Sequence, residues 1–134
     1  MVKKALIEIC GVQHYEDFSD TVKHKFLGTF EETEGAYILS YNEERKRSVT
    51  LKAFKDRTRV ELIRNRSALI IEPDRRYICE YSTEAGQALL GIKGSAVSAE
   101  VGEADGTLYF TYETDTQNRH ISDNEVTVKF RFKI

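Results

Sequence analysis

Apolar and polar residues alternate with a period of two along most of the chain, which is typical of half-buried β-strands. The alternation is clearest from Val22 to Phe30, from Thr107 to Thr114 and from Glu125 to Ile134. Short polar segments separate the alternating runs, and no segment keeps the period of a helix. The pattern predicts about ten strands and no helix.

The centre of the chain, residues 57–86, is predicted to form three strands joined by two tight turns. Pro73 and Asp74 suit the central positions of a turn, which would pair Ile70 with Tyr77. The loop before it could have two or three residues, which would put different side chains inside. The three-residue loop, Asn65 to Ser67, places Leu62 opposite Ile70 and is preferred because the shorter loop would mix Arg76 and Glu80 into the apolar face. These registers give one continuous apolar face, made of Val60, Leu62, Ala68, Ile70, Tyr77, Cys79 and Tyr81.

Each predicted strand follows the last through a short connection, so the sheet is expected to be an antiparallel meander. A meander with one apolar face leaves two exposed edges, and pairing the first strand with the last removes them. The sequence therefore predicts an all-β fold with a single domain over residues 1–134: an up-and-down antiparallel barrel of eight to ten strands. A two-sheet sandwich is the alternative. Gly91 and Gly94 leave open whether residues 87–101 form one kinked strand or two.

Composition indicates the class of protein but no particular function. The chain is 40% hydrophobic and 31% charged, which is ordinary for a globular protein. Its net charge of −2 does not demand nucleic acid or an anionic membrane as a partner. No apolar run approaches the length of a spanning helix, and the N-terminus lacks the pattern of a signal peptide. With two cysteines, Cys10 and Cys79, a cytoplasmic protein with reduced thiols is expected.

Five segments, in order along the chain, resemble the YwiB-like family of small bacterial proteins. They are Gly35-Ala36-Tyr37, Val49-Thr50-Leu51-Lys52, Val60-Glu61-Leu62-Ile63-Arg64, Tyr81-x-Thr83-x-x-Gly86 and Ile121-Ser122-Asp123-Asn124-Glu125-Val126. The resemblance covers nearly the whole chain and implies a calycin or lipocalin-like barrel. The family has no assigned activity, so the resemblance implies a fold and leaves function open.

Polar side chains on the predicted inner face suggest a ligand. A barrel of this size is either filled by side chains or holds one small molecule, and tyrosine hydroxyls with an arginine could orient a polar or anionic one. The leading hypothesis is a non-catalytic barrel that binds such a molecule inside; the alternative places these groups at the barrel ends, in water. The candidate ligand-binding residues are Tyr37, Tyr41, Arg64, Tyr81, Thr83 and Tyr112.

No catalytic constellation or cofactor motif is found. The chain has no phosphate-binding glycine loop, and Cys79 has apolar neighbours that favour an unreactive thiol. A hairpin centred near Ser19 would place His14 opposite His24, but two imidazoles without a third ligand make a poor metal site. An enzyme is therefore not expected, and neither a metal nor an organic cofactor is predicted.

Two further surfaces are predicted outside the barrel. The registers above place Ile63, Leu69, Ile71 and Ile78 on the outer face, where an apolar patch suggests a homodimer interface or a covering segment. Residues 45–76 carry 11 basic and 4 acidic residues, which keeps single-stranded nucleic-acid binding as a weaker hypothesis.

Overall fold

The structure is a computed structural model that describes residues 2–43, 47–64, 67–83 and 86–133, with the backbone alone at Ser67 and residues 81–83. Ten strands account for almost all of these residues, and no helix long and apolar enough to cross a membrane occurs among them. The strands are β1 Val2–His14, β2 Ser19–Glu32, β3 Ala36–Asn42, β4 Ser48–Phe54, β5 Val60–Arg64, β6 Ser67–Ile71, β7 Arg76–Thr83, β8 Gly86–Val101, β9 Asp105–Thr116 and β10 Arg119–Phe132.

The strands form one antiparallel sheet in the order β6-β5-β4-β3-β2-β1-β10-β9-β8-β7. The first strand pairs with the last along its length, from Ala5 opposite Phe132 to His14 opposite Asp123. Every other neighbour in the sheet is also a neighbour in the chain. The prediction of an up-and-down barrel is confirmed, and a single sheet of this order excludes the two-sheet sandwich.

The barrel is nearly closed, with a seam between β6 and β7. The predicted pairing of Ile70 with Tyr77 is wrong, because no ladder joins these two strands in the described residues. The predicted turn itself forms, because the amide of Arg75 donates to the carbonyl of Glu72 (3.1 Å). It also bonds to β8: the amide of Asp74 donates to the carbonyl of Gly94 (2.9 Å), and the amide of Gly94 donates to the carbonyl of Arg75 (3.3 Å). A Cβ at Gly94 would lie 2.5 Å from the carbonyl oxygen of Glu72, so glycine allows this close approach.

The register between β5 and β6 also differs from the prediction. Val60 pairs with Ile71 and Leu62 with Leu69, so the connection has two residues, not three. A slip of one residue moves every side chain to the opposite face. Ile71 is accordingly fully buried in the core, and Leu69 packs against it. Their assignment to an outer interface was wrong, whereas Ile63 (39% exposed) and Ile78 (54% exposed) do face outward.

Other registers keep the predicted faces. A turn at residues 84 and 85 is predicted to pair Tyr77 with Ile92 and Cys79 with Leu90, and both pairs occur between β7 and β8. A turn over Glu32 to Gly35 is predicted to place Phe30 opposite Tyr37, but Phe30 lies opposite Leu39. This shift of two residues leaves the same side chains inside. Residues 86–101 form one strand, with a bulge between residues 94 and 96.

Large side chains fill one end of the barrel, here called the closed end, where β2 and β10 finish and β3 begins. The ring of Phe30 stacks on Phe130 with centroids 5.3 Å apart and contacts Phe132 at 4.8 Å. A Cβ at Gly106 would overlap the ring of Phe130, so the ring occupies space that a side chain would need. The opposite end, where β1 finishes at His14, carries more polar side chains, among them Gln13, His24 and Arg64, and is called the open end.

Candidate functional site

A cavity of about 330 Å³ lies inside the barrel towards the open end. Its walls are mainly apolar and include Ile9, Phe26, Leu51, Leu62, Phe110 and Val128. A few polar groups join them: Gln13, His24, Tyr41, Glu43, Arg64 and Tyr112. A mainly apolar wall with a few convergent polar groups is the usual character of a small-molecule site.

Gly11 faces open space in this wall. It lies within β1 on the inward face, and a Cβ built there would meet no atom within 4 Å. Its φ is not in the left-handed region, so neither backbone conformation nor a close neighbour requires glycine. A glycine inside a strand weakens the strand and often marks the close approach of a ligand or another backbone. No protein atom makes that approach at Gly11.

The structure brings three of the predicted site residues together. Tyr41 near the end of β3, Arg64 at the end of β5 and Tyr112 on β9 all line the cavity. Tyr37 belongs elsewhere: it is on the same face of β3 as Tyr41 but near the closed end, where it packs on Phe30. The side chains of Tyr81 and Thr83 lie outside the described part of the structure.

Arg64 is held at the cavity mouth by Glu43. Its Nη2 donates to Oε1 of Glu43 at 2.7 Å, and its Nε donates to the same oxygen at 3.2 Å. Glu43 directly follows β3 in the chain, and its amide bonds to the carbonyl of Arg47. The pair therefore joins the ends of β3 and β5 beside the opening.

Burial raises the pKa of both cavity tyrosines further above neutral pH. It raises the pKa of Tyr41 to about 12, with a further increase from the charge of Glu43 and a smaller opposing effect of Arg64. Burial also raises the pKa of Tyr112, again opposed by Arg64. Both phenols are therefore neutral near pH 7 and can donate a hydrogen bond.

A second cavity of about 400 Å³ adjoins the first under the seam. Both cavities are lined by Gln13, Leu62, Arg64, Leu69 and Tyr112, a shared wall that makes them neighbours. The second adds Cys79, Leu90 and Ile92 from the strands beyond the seam. Both cysteines of the chain are free thiols, and Cys79 Sγ lies 4.0 Å from the carbonyl oxygen of Ala68 on β6.

A buried polar network at the open end was missed by the sequence analysis. Thr114 Oγ1 and Ser122 Oγ are 2.6 Å apart, and Asn124 Nδ2 donates to Ser122 Oγ (3.1 Å) and to the carbonyl of Tyr112 (3.4 Å). All three side chains are buried. The network fixes the start of β10 against β9 beside Tyr112, next to a bulge at residues 120–122. The segment Ile121 to Val126, which contains Ser122 and Asn124, entered the sequence analysis only as part of the family resemblance.

The histidines do not form the predicted pair. The turn closes over residues 15–18 through a bond from the amide of Tyr15 to the carbonyl of Phe18 (2.8 Å), so His14 lies opposite Ser19 and not His24. His14 bonds Ser19 and Glu125, while His24 lines the cavity. A separate donor set that the sequence analysis missed, Glu113, His120 and Asp123, lies within 4.8 Å on the exposed surface.

The basic stretch is largely neutralised where the structure describes it. Lys55 pairs with Glu32 (2.6 Å), and Arg76 pairs with Asp115 on β9 (2.6 Å). Arg59 and Arg75 also have glutamate partners. Residues 44–46, 65 and 66 are outside the described range. Nucleic-acid binding through residues 45–76 stays a prediction.

Comparisons with known proteins agree with the fold. Residues 7–128 match the family described as a domain of unknown function, DUF1934. The chain superposes on the crystal structure of ywiB protein from Bacillus subtilis with a TM-score of 0.84 and 13% identity, over 99% of this chain and 94% of the other. No curated protein sequence matches the chain. The YwiB-like resemblance seen in the sequence is confirmed.

Proposed function

Because the chain belongs to the DUF1934 family, whose description names no activity, we propose its function from the cavity itself. The protein acts as a non-catalytic binding barrel that holds a small molecule at its open end. Tyr41, Arg64 and Tyr112 orient the molecule, and the apolar walls enclose its body. The observation that carries the proposal is the empty space in front of Gly11.

The size and chemistry of the site support binding. Its volume of about 330 Å³ falls in the range of roughly 300–1,000 Å³ that is usual for ligand pockets. Close packing is the rule in protein interiors, so an unfilled region beside an unconstrained glycine needs an explanation. A ligand that takes the place of the missing side chain supplies one.

A fluorescent apolar probe tests the proposal. N-phenyl-1-naphthylamine is expected to bind the wild-type protein with increased emission, and Gly11→Leu is expected to remove that signal by filling the cavity. Gly35→Leu is the matched control, because it adds the same side chain at another open glycine position, in the turn before β3. Wild-type protein that fails to bind the probe, or equal binding by both variants, would contradict the proposal.

Self-association is a second candidate function, supported by exposed apolar side chains beside the seam. Ile78 on β7 and Leu89 on β8 are 54% and 58% exposed, and they occupy diagonal positions on adjacent strands. Sedimentation velocity is expected to find a dimer that Ile78→Lys converts to monomer. Leu27→Lys, at an exposed position on β2, is the control and should stay dimeric. A monomeric wild-type protein at high concentration would refute this candidate.

A further inference from the structure

Tyr41 is a buried residue at the cavity whose hydroxyl has no hydrogen-bond partner among the described residues. Tyr41 is only 6% exposed, it lines the cavity, and no hydrogen bond joins its hydroxyl to another described residue. The hydroxyl of Tyr112 lines the same cavity and is likewise unpaired within the described residues. Two protonated phenols are thus available to something inside the barrel.

Arg64 completes a set of donors at the cavity mouth. Its charge partly opposes the rise in the pKa of both phenols. The guanidinium therefore lies within electrostatic range of each hydroxyl. The carboxylate of Glu43 neutralises this charge in the structure. Among the described residues that line the cavity, Glu43 is the one that carries a carboxylate. The site therefore combines two phenol donors with Arg64, which pairs with Glu43 at the opening.

We propose that the ligand is an amphiphilic anion whose acidic head group replaces Glu43 on Arg64 while its apolar body fills the space before Gly11. This inference rests on the proposed binding function and names the ligand class for the same site. Phenol hydroxyls and a guanidinium complement a carboxylate, sulfonate or phosphate head, because hydrogen bonds to charged acceptors are the stronger ones. The apolar wall matches the body of such a molecule.

In this arrangement Glu43 competes with the ligand. A neutral molecule leaves the Arg64–Glu43 pair intact, whereas an anion that binds the Nε and Nη2 edge of the guanidinium takes the place of the glutamate. Removing the charge of Glu43 is therefore expected to tighten the binding of anions. Removing the charge of Arg64 is expected to weaken it by about tenfold or more, because a hydrogen bond to a charged group contributes roughly 1.5–3 kcal/mol.

Two probes that differ by one sulfonate test the inference. 8-Anilinonaphthalene-1-sulfonate has the aromatic skeleton of N-phenyl-1-naphthylamine with an added anionic group. Both are titrated into wild-type protein, Arg64→Gln, Glu43→Gln and Tyr41→Phe. Arg75→Gln is the matched control, because it breaks another arginine–glutamate pair outside the cavity.

The sulfonate probe is expected to bind about tenfold more weakly to Arg64→Gln, several-fold more weakly to Tyr41→Phe and several-fold more tightly to Glu43→Gln. The neutral probe should bind all four proteins alike, and Arg75→Gln should match wild type for both probes. Equal effects of Arg64→Gln on both probes, or weaker sulfonate binding by Glu43→Gln, would overturn the inference. If both probes bind irrespective of Arg64, the binding function stands and the anionic ligand class falls. If neither binds wild-type protein, the binding function falls as well.

Discussion

The substitution Gly11→Leu adds a side chain to the unfilled part of the cavity and is expected to raise stability while it removes binding. Glycine within a strand is less favourable than alanine by roughly 0.5–1 kcal/mol. A fully buried leucine side chain contributes about 1.5–3 kcal/mol, and a partly open cavity provides a fraction of that. Side-chain entropy opposes it by about 0.5–1 kcal/mol. The expected net gain in the free energy of unfolding is about 1 kcal/mol.

Urea unfolding without ligand measures this change. The transition can be followed by far-ultraviolet circular dichroism, with the midpoint compared at an unchanged slope. Gly106→Ala is the opposite case: its Cβ would overlap the ring of Phe130, and overpacking of this kind costs about 1–3 kcal/mol. If Gly11→Leu destabilised the protein by more than about 1 kcal/mol, the space before Gly11 would not exist, and the argument for a ligand there would fail.

Three further predictions test the fold around the site. Ile71→Ala should destabilise the barrel by about 2–5 kcal/mol and Ile70→Ala by much less, since only Ile71 is fully buried; the reverse order in urea unfolding would favour the register predicted from sequence. Asn124→Ala should cost about 1–3 kcal/mol by leaving buried partners unpaired, and an unchanged midpoint would refute the role of the network. Arg76 lowers the pKa of Asp115 through hydrogen bonds. The pair therefore contributes its full stability at pH values above the pKa of the carboxyl in the unfolded chain, and this contribution is lost as the pH falls through the lower pKa of the folded state. Asp115→Asn should therefore be less stable than wild type near pH 7, with the difference shrinking in acid; a difference that grows in acid would contradict this sign.

Alternation predicted the faces of the barrel well wherever polar residues interrupt apolar ones. In the runs Val22 to Phe30, Thr107 to Thr114 and Glu125 to Ile134, mostly polar residues at every second position indicate the inward face, and Phe30, Phe110 and Phe130 are indeed buried. Closure of β1 on β10 followed from the cost of exposed sheet edges. The run Ala68 to Ile71 has no such alternation, so the sequence could not choose between loops of two and three residues. The bond of the turn at residues 72–75 to Gly94 joins distant parts of the chain, and no local pattern reveals it.

The site was predicted in part. Tyr41, Arg64 and Tyr112 followed from polar residues on the inner face, but a face assignment does not give depth along the strand. Tyr37 is four residues from Tyr41 on the same strand, about 13 Å at the usual rise, and so belongs to the other end. Glu43 lies in a charged connection without periodicity. Gly11 was missed because β1 carries apolar residues on both faces, so its alternation did not show which face is inward.

Native mass spectrometry of the protein purified gently from its own host tests the central claim most directly. The account predicts an adduct that is lost on denaturation, is absent from Gly11→Leu prepared in the same way, and ionises as an acid when released. A reproducibly bare chain from wild-type cells, with a mass equal to that of the polypeptide alone or of its dimer, would contradict it.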